Sequence, residues 1–156
     1  MDTQATEIIE MEVRLEEVWS LNQARLRNRL NSVLSAYEAR YDMLPGLEFE
    51  LSVGLIRPAF AVLPRLTYDW EADIVLYPHP PITAIDILSP TQALYAVIQR
   101  IREQYLAGGV QSAWLLMPSV QSILLFLPDQ SVANVSAGTL RDPATGIEVE
   151  LATIFR

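Results

Sequence analysis

The clearest pattern in the chain begins at Ser20. Leu26, Leu30, Val33, Leu34, Tyr37 and Tyr41 recur at three- and four-residue spacing, the repeat of one helical face, while Arg25, Arg27 and Arg29 fall on others. Ser20 or Asn22 supplies an N-cap, and Pro45-Gly46 is the expected end of this helix. Residues 1–19 carry both a two-residue and a helical repeat. Their Glu content, with no Gly or Pro, favours helix. Strand patterns follow. Leu47, Phe49 and Leu51 alternate with Glu48 and Glu50, and Leu55 to Leu63 is an apolar run with Pro58 near its start. Residues 64–81 read as a long loop, a feature that in small domains is often functional. Ile82 to Leu88 is short, apolar and β-branched, as expected of a strand buried on both faces. Leu94, Val97, Ile98, Ile101, Tyr105 and Leu106 form the apolar face of a second helix, stopped by Gly108-Gly109. Ser112 to Met117 and Val120 to Leu127 are two strands joined by a hairpin at Pro118-Ser119, and Asp142 to Gly146 marks a further turn.

A helix between the runs at 82–88 and 112–117 implies a parallel crossover, since parallel neighbours cannot be joined by a tight turn. The order of elements therefore predicts an α/β fold with a mixed β-sheet flanked by helices. A length of 156 residues suits one domain, read as spanning 1–156 with its core at about 20–127.

Composition narrows the chemistry. There is no cysteine, which excludes disulfides and thiolate metal sites. No apolar run reaches membrane-spanning length, so no membrane partner is expected. Met1-Asp2-Thr3-Gln4 is polar and acidic, unlike a secretory signal, and the expected location is the cytoplasm. The formal net charge is -8, and every one of the 11 cations is arginine. DNA is an admissible partner, but one disfavoured by this net charge unless the arginines cluster.

Asp86 stands out. A carboxylate inside the apolar run Ile82-Thr83-Ala84-Ile85-Asp86-Ile87-Leu88 is costly to bury unless it is paired or bound to metal. One reading makes it a ligand for a hard divalent cation. The other makes it a strand-edge residue that forms a salt bridge or caps the helix beginning near Thr91.

Three blocks around Asp86 carry a family resemblance. Pro80-Pro81-Ile82-Thr83-Ala84-Ile85-Asp86-Ile87-Leu88-Ser89-Pro90-Thr91 resembles the Pro-Pro…Glu-Ile/Val-Leu-Ser-Pro-Ser/Thr signature of the Uma family of restriction-endonuclease-like proteins, within the PD-(D/E)XK nuclease superfamily. Tyr105-Leu106-Ala107-Gly108-Gly109-Val110-Gln111-Ser112-Ala113-Trp114 resembles that family's Tyr…Gly-Val…Tyr-Trp block, and Arg57-Pro58-Ala59-Phe60-Ala61-Val62 its Arg-Pro-Asp-Val strand. The matches run from about Ser20 to the C-terminus.

The resemblance implies a restriction-endonuclease-like domain and a site for Mg²⁺ or Mn²⁺ serving phosphodiester hydrolysis. The chain departs from the family pattern at each site position. The first acid is replaced by Ala59, and the second, a Glu in the family, is Asp86. The lysine has Arg100 as its counterpart, with Arg102 the alternative. Arginine keeps the charge but cannot serve as a deprotonated base. Asp86 and Arg100 are thus the candidate catalytic pair and Asp86 the candidate metal ligand. Asp73 is the candidate rescuing ligand, with Asp69 and Glu71 beside it in the long loop; a solvated loop surface is the competing reading for all three. Two functions follow: an endodeoxyribonuclease with an eroded, weak or inactive site, or a non-catalytic binding or scaffold module that kept the fold.

The remaining candidates are weaker. A single histidine, His79, cannot build a histidine zinc site, and no nucleophile elbow accompanies it. Trp114 reads as core, and Trp19 and Trp70 as candidates for an interface. Gly108-Gly109 closes a helix instead of opening a phosphate loop. Arg25, Arg27 and Arg29 form either a phosphate stripe or a solvated face. A homodimer contact is expected of Val120 to Leu127.

Overall fold

The structure is a computed structural model and describes residues 18–156; the helix expected of the preceding residues lies almost entirely outside the described residues. Ser20 opens helix α1 (Leu21–Leu34) with a reciprocal capping box. Its hydroxyl accepts from the Gln23 N–H at 3.2 Å, and the Gln23 side chain accepts from the Ser20 N–H at 3.1 Å. These bonds satisfy donors that a helix start otherwise leaves unpaired. Leu26, Leu30 and Leu34 are buried at the expected spacing.

The helix is shorter than its periodicity predicts. It ends at Leu34, passes through a 3₁₀ turn (Ser35–Tyr37), and the chain then forms strand β1 (Tyr41–Pro45). The reason is tertiary. β1 finds an antiparallel partner in β4 (Phe60–Pro64), with Met43 opposite Val62, and its side chains alternate between two cores. Strand pairing outweighs the weaker local preference for continuing a helix.

The apolar run at 55–63 divides at Arg57-Pro58 into β3 (Gly54–Ile56) and β4. β3 joins a small sheet with β2 (Glu48–Leu51) and β5 (Leu76–Tyr77), in the order β3-β2-β5. The long loop predicted at 64–81 thus contains one short strand. The main sheet has the order β1-β4-β6-β7-β8-β9, with β6 (Thr83–Ile87), β7 (Ser112–Met117), β8 (Ser122–Phe126) and β9 (Val132–Val135). β6 and β7 run parallel, as the crossover required, and the other neighbours are antiparallel. The crossover is helix α2 (Leu94–Arg100), which continues as a π-helix over Ile101–Leu106. Gly109, at φ +107°, turns the chain back toward β7, while a Cβ on Gly108 would lie 2.6 Å from the Gln104 carbonyl.

The sheet separates two cores. Toward α1, Ile85, Ile87, Trp114, Leu116 and Ile123 pack with Leu26, Leu30 and Leu34. Toward α2, Ala84, Ala113 and Leu115 pack with Val97, Ile101, Tyr105 and Phe49. The α1-side core extends past the expected limit near Leu127. Leu140, Ile147, Val149, Leu151 and Ile154 are buried in it, from the hairpin β10 (Thr139–Arg141) and β11 (Glu148–Glu150) and from short helix α3 (Leu151–Ile154). Asp142 fastens this hairpin to the sheet. Its carboxylate accepts the Thr83 hydroxyl at 2.6 Å, the Thr145 hydroxyl at 2.8 Å and the Ala144 N–H at 3.2 Å.

β8 lies between β7 and β9, and both of its backbone edges are paired. The apolar run at Val120 to Leu127 thus lies within the sheet, whose edge strands are β1 and β9. Among the described residues, no helix is long and apolar enough to cross a membrane.

Candidate functional site

The site is built around Asp86. Alternation along β6 sends Ile85 and Ile87 into the α1-side core and leaves Ala84 and Asp86 facing the crossover helix. The β4–β6 register pairs Phe60 with Ile85, which brings Ala59, just before β4, beside Asp86. The Ala59 N–H donates to Asp86 Oδ1 at 3.0 Å. The Tyr105 hydroxyl donates to Asp86 Oδ2, and Arg100 Nη2 forms an ion pair with the same oxygen at 3.6 Å. Asp86 is buried, at 8 % residue exposure, and each of its carboxylate oxygens has a partner.

The π-helix explains how one carboxylate meets both Arg100 and Tyr105. These residues are five apart. In an α-helix, at about 100° per residue, five steps overshoot one turn by more than a third and separate the two side chains. A π-helix closes its hydrogen bonds over i→i+5 and is wound more slowly than an α-helix, so five steps overshoot one turn by less and both side chains reach the same carboxylate. The π segment begins immediately after Arg100.

Burial is the main force that raises the Tyr105 phenol well above its ordinary value, and the negative charge of Asp86 adds to it. The folded state therefore holds this proton more tightly than the unfolded chain. The resulting stabilisation is fully present below the ordinary tyrosine value of 10.0 and is lost as pH rises above it toward the folded value. Urea unfolding at pH 8 and pH 11 should show a loss for the parent that exceeds the loss for Tyr105→Phe. Identical losses would mean that this phenol does not contribute.

Asp86 lies at one wall of a cleft of about 750 Å³ lined by residues from α1, the β3–β4 segment and the crossover helix. Trp19, Gln23 and Arg27 come from the α1 end, Arg57 and Ala59 from the strand junction, and Arg100 and Gln104 from the helix. Gln23 Nε2 donates to the Ile87 carbonyl at 3.2 Å and fastens α1 to the end of β6. The Arg27 guanidinium stacks over the Trp19 indole, 3.7 Å from the ring centroid. Its pKa is lowered chiefly by burial, which prevails over the attraction of Asp86; Arg57 pushes in the same direction as burial.

The structure brings together only part of the candidate set predicted from the sequence. Asp86, Ala59 and Arg100 converge. Arg102, the alternative to Arg100, instead lies over the Phe126 ring. Asp73 is exposed, accepts its own neighbour's N–H from Ile74 at 2.8 Å, and is not among the residues lining the cleft. Asp69 likewise bonds within the loop, to the Glu71 N–H at 3.1 Å, and neither residue lines the cleft. His79 is an exposed loop residue set edge-on to Tyr77. Of the arginine stripe on α1, only Arg27 enters the cleft, while Arg25 donates to the Arg156 carbonyl at 3.1 Å. The sequence reading missed Gln23, Trp19 and Glu48 as cleft residues. Gln23 carried a signal, since it stands at the third position after Ser20 in a capping box, but nothing local revealed its bond to β6.

The resemblance noted in the sequence implies Mg²⁺ or Mn²⁺ at this position, and the residues present do not fit such an ion. Mg²⁺ needs several oxygen ligands in near-octahedral array. Asp86 offers oxygens that already accept from a backbone N–H and a phenol, with a guanidinium beside them. Its neighbour, Ala59, has no ligand atom in its side chain. Among the described residues, no group of three or more acidic or histidine side chains could hold a metal ion.

The chain has an α/β fold with a mixed sheet flanked by helices, and a carboxylate on an inner strand faces the crossover helix. One solved structure with this fold is that of a putative nuclease belonging to DUF820 from Anabaena variabilis ATCC 29413. It superposes with a TM-score of 0.71 over 88 % of this chain and 82 % of that one, at 19 % sequence identity. At this identity the similarity shows the fold; the narrower Uma resemblance rests on the three sequence blocks. No family model matches the chain, and no curated protein matches it.

Proposed function

We propose that this chain is a nuclease-fold module that binds a ligand in its cleft without cleaving phosphodiester bonds. The observation that carries the reading is the state of Asp86. In a metal-dependent hydrolase this carboxylate would share a cation with a second acid. Here the place of that partner acid is held by Ala59, whose N–H donates to one carboxylate oxygen at 3.0 Å, and a tyrosine hydroxyl donates to the other. Arg100 neutralises the charge that would otherwise attract a metal. The carboxylate then acts as a structural tie between β4, β6 and the crossover helix.

The second reading, an endodeoxyribonuclease using Mg²⁺ or Mn²⁺, is favoured by one observation: Asp86 keeps its place between the β4 entry and the helix bearing Arg100. A plasmid assay separates the two. Supercoiled DNA incubated with the protein and either metal is expected to remain supercoiled. Metal-dependent nicking that disappears in Asp86→Asn would establish the second reading in place of the first.

A further inference from the structure

We infer that the cleft beside Asp86 is a receptor for a compact oxyanion, a phosphate or carboxylate group on a small molecule, held by Arg27 and Arg100 with Arg57 at the rim. This inference rests on the non-catalytic binding function proposed above and names the class of ligand.

Two arginine donors in the cleft lack acceptors. The Nε atoms of Arg27 and Arg100 are buried and have no hydrogen-bond partner among the described residues. Desolvating a charged donor without giving it an acceptor is unfavourable. Asp86 does not relieve Arg100, because 3.6 Å is an ion-pair distance and too long for a hydrogen bond. The carboxylate is already taken by Ala59 and Tyr105. Arg27 is positioned by its face, which lies against Trp19. A guanidinium stacked in this way keeps its N–H groups in plane around its edge, the arrangement that matches two oxygens of a phosphate or carboxylate.

Charge agrees with this reading. The cleft lining includes three arginines, Arg27, Arg57 and Arg100, against two acids, Asp86 and Glu48, in a chain whose net charge is -8. It is a local excess of cation on an acidic body. A long polyanion would leave the cleft and meet repulsion, whereas a ligand contained within it would not. The volume, about 750 Å³, falls in the usual range of roughly 300–1,000 Å³ for small-molecule sites. The three arginines come from α1, the β3–β4 junction and the crossover helix, so only the folded chain assembles them.

Calorimetric titration of the whole chain at low ionic strength, with pyrophosphate and with citrate as probes, tests the inference. The expected result is saturable one-site binding of at least one probe, weakened tenfold or more in Arg27→Gln and in Arg100→Gln. Arg25→Gln, which lies outside the cleft, should bind as the parent does. Whichever probe binds more tightly identifies the oxyanion as phosphate or carboxylate. Because the first two variants alter half-buried side chains, Arg57→Glu at the exposed rim is a third, and it should also weaken binding while leaving the unfolding midpoint unchanged. Failure of both probes to saturate, equal weakening by Arg25→Gln, or tighter binding of a duplex oligonucleotide than of either probe would overturn the inference. Metal-dependent plasmid nicking alongside intact probe binding would sink the non-catalytic reading and leave the oxyanion site standing.

Discussion

Replacing Asp86 by Ala is expected to lower the unfolding free energy by about 2–4 kcal/mol, because it leaves a buried N–H and a buried phenol without their acceptor. The bonds lost are those from the Ala59 N–H and the Tyr105 hydroxyl, and the Arg100 guanidinium loses its nearby counter-charge. Asp86→Asn should cost less, since its amide oxygen can still accept from Ala59. The sign of the effect discriminates between roles. A carboxylate kept for metal chemistry strains the metal-free fold, and its removal commonly leaves stability unchanged or raised. Here the carboxylate ties two strands to the crossover helix, so removal should destabilise. Urea unfolding of the two variants measures this, and parental stability in Asp86→Ala would show that the ties contribute nothing.

The largest loss is expected at Trp114. Its side chain is 0 % exposed, in the centre of the main sheet, among Ile85, Leu116 and Ile123 on the α1 side. Trp114→Ala should cost about 3–5 kcal/mol, through lost transfer energy and the cavity left behind. Trp114→Phe should cost considerably less, for two reasons. The smaller ring still fills most of the space, and the substitution removes an indole N–H that is buried with no partner among the described residues. Thermal unfolding of both variants gives the comparison. If the phenylalanine variant is as unstable as the alanine variant, the indole N–H has an acceptor that the protein atoms do not supply.

The acidic net charge and the arginine-lined cleft belong to one design. A net charge of -8 repels polyanions in general, while the inferred oxyanion site gathers three arginines from separate elements into one locally cationic spot. Asp86 accepts its hydrogen bonds from Ala59 and Tyr105 and meets Arg100 only at ion-pair distance, which leaves the arginine's N–H groups free for the inferred ligand.

What the amino-acid sequence determined by itself was whatever depends on near neighbours. A helix cap at Ser20 or Asn22, the buried strand at 82–88, the glycine stop at 108–109 and the parallel crossover all follow from local spacing and from chain connectivity, and the structure selects Ser20 as the cap. The convergence of Asp86, Ala59 and Arg100 was expected from the family resemblance alone, which matches these positions to the two acids and the lysine of that family's site; local spacing did not give it. The tertiary structure alone decided the rest. Tyr41–Pro45 became a strand because β4 offered an edge, against a helical repeat that ran on through Tyr41. Tyr105 and Arg100 met on one carboxylate because the helix changes to π winding at Ile101, and apolar spacing carries no mark of such a change. Asp73 stayed on the surface and Arg27 came inside because burial of a charged side chain depends on partners many residues away, such as Trp19 stacked beneath it and Arg57 across the cleft, and no local pattern encodes those distances.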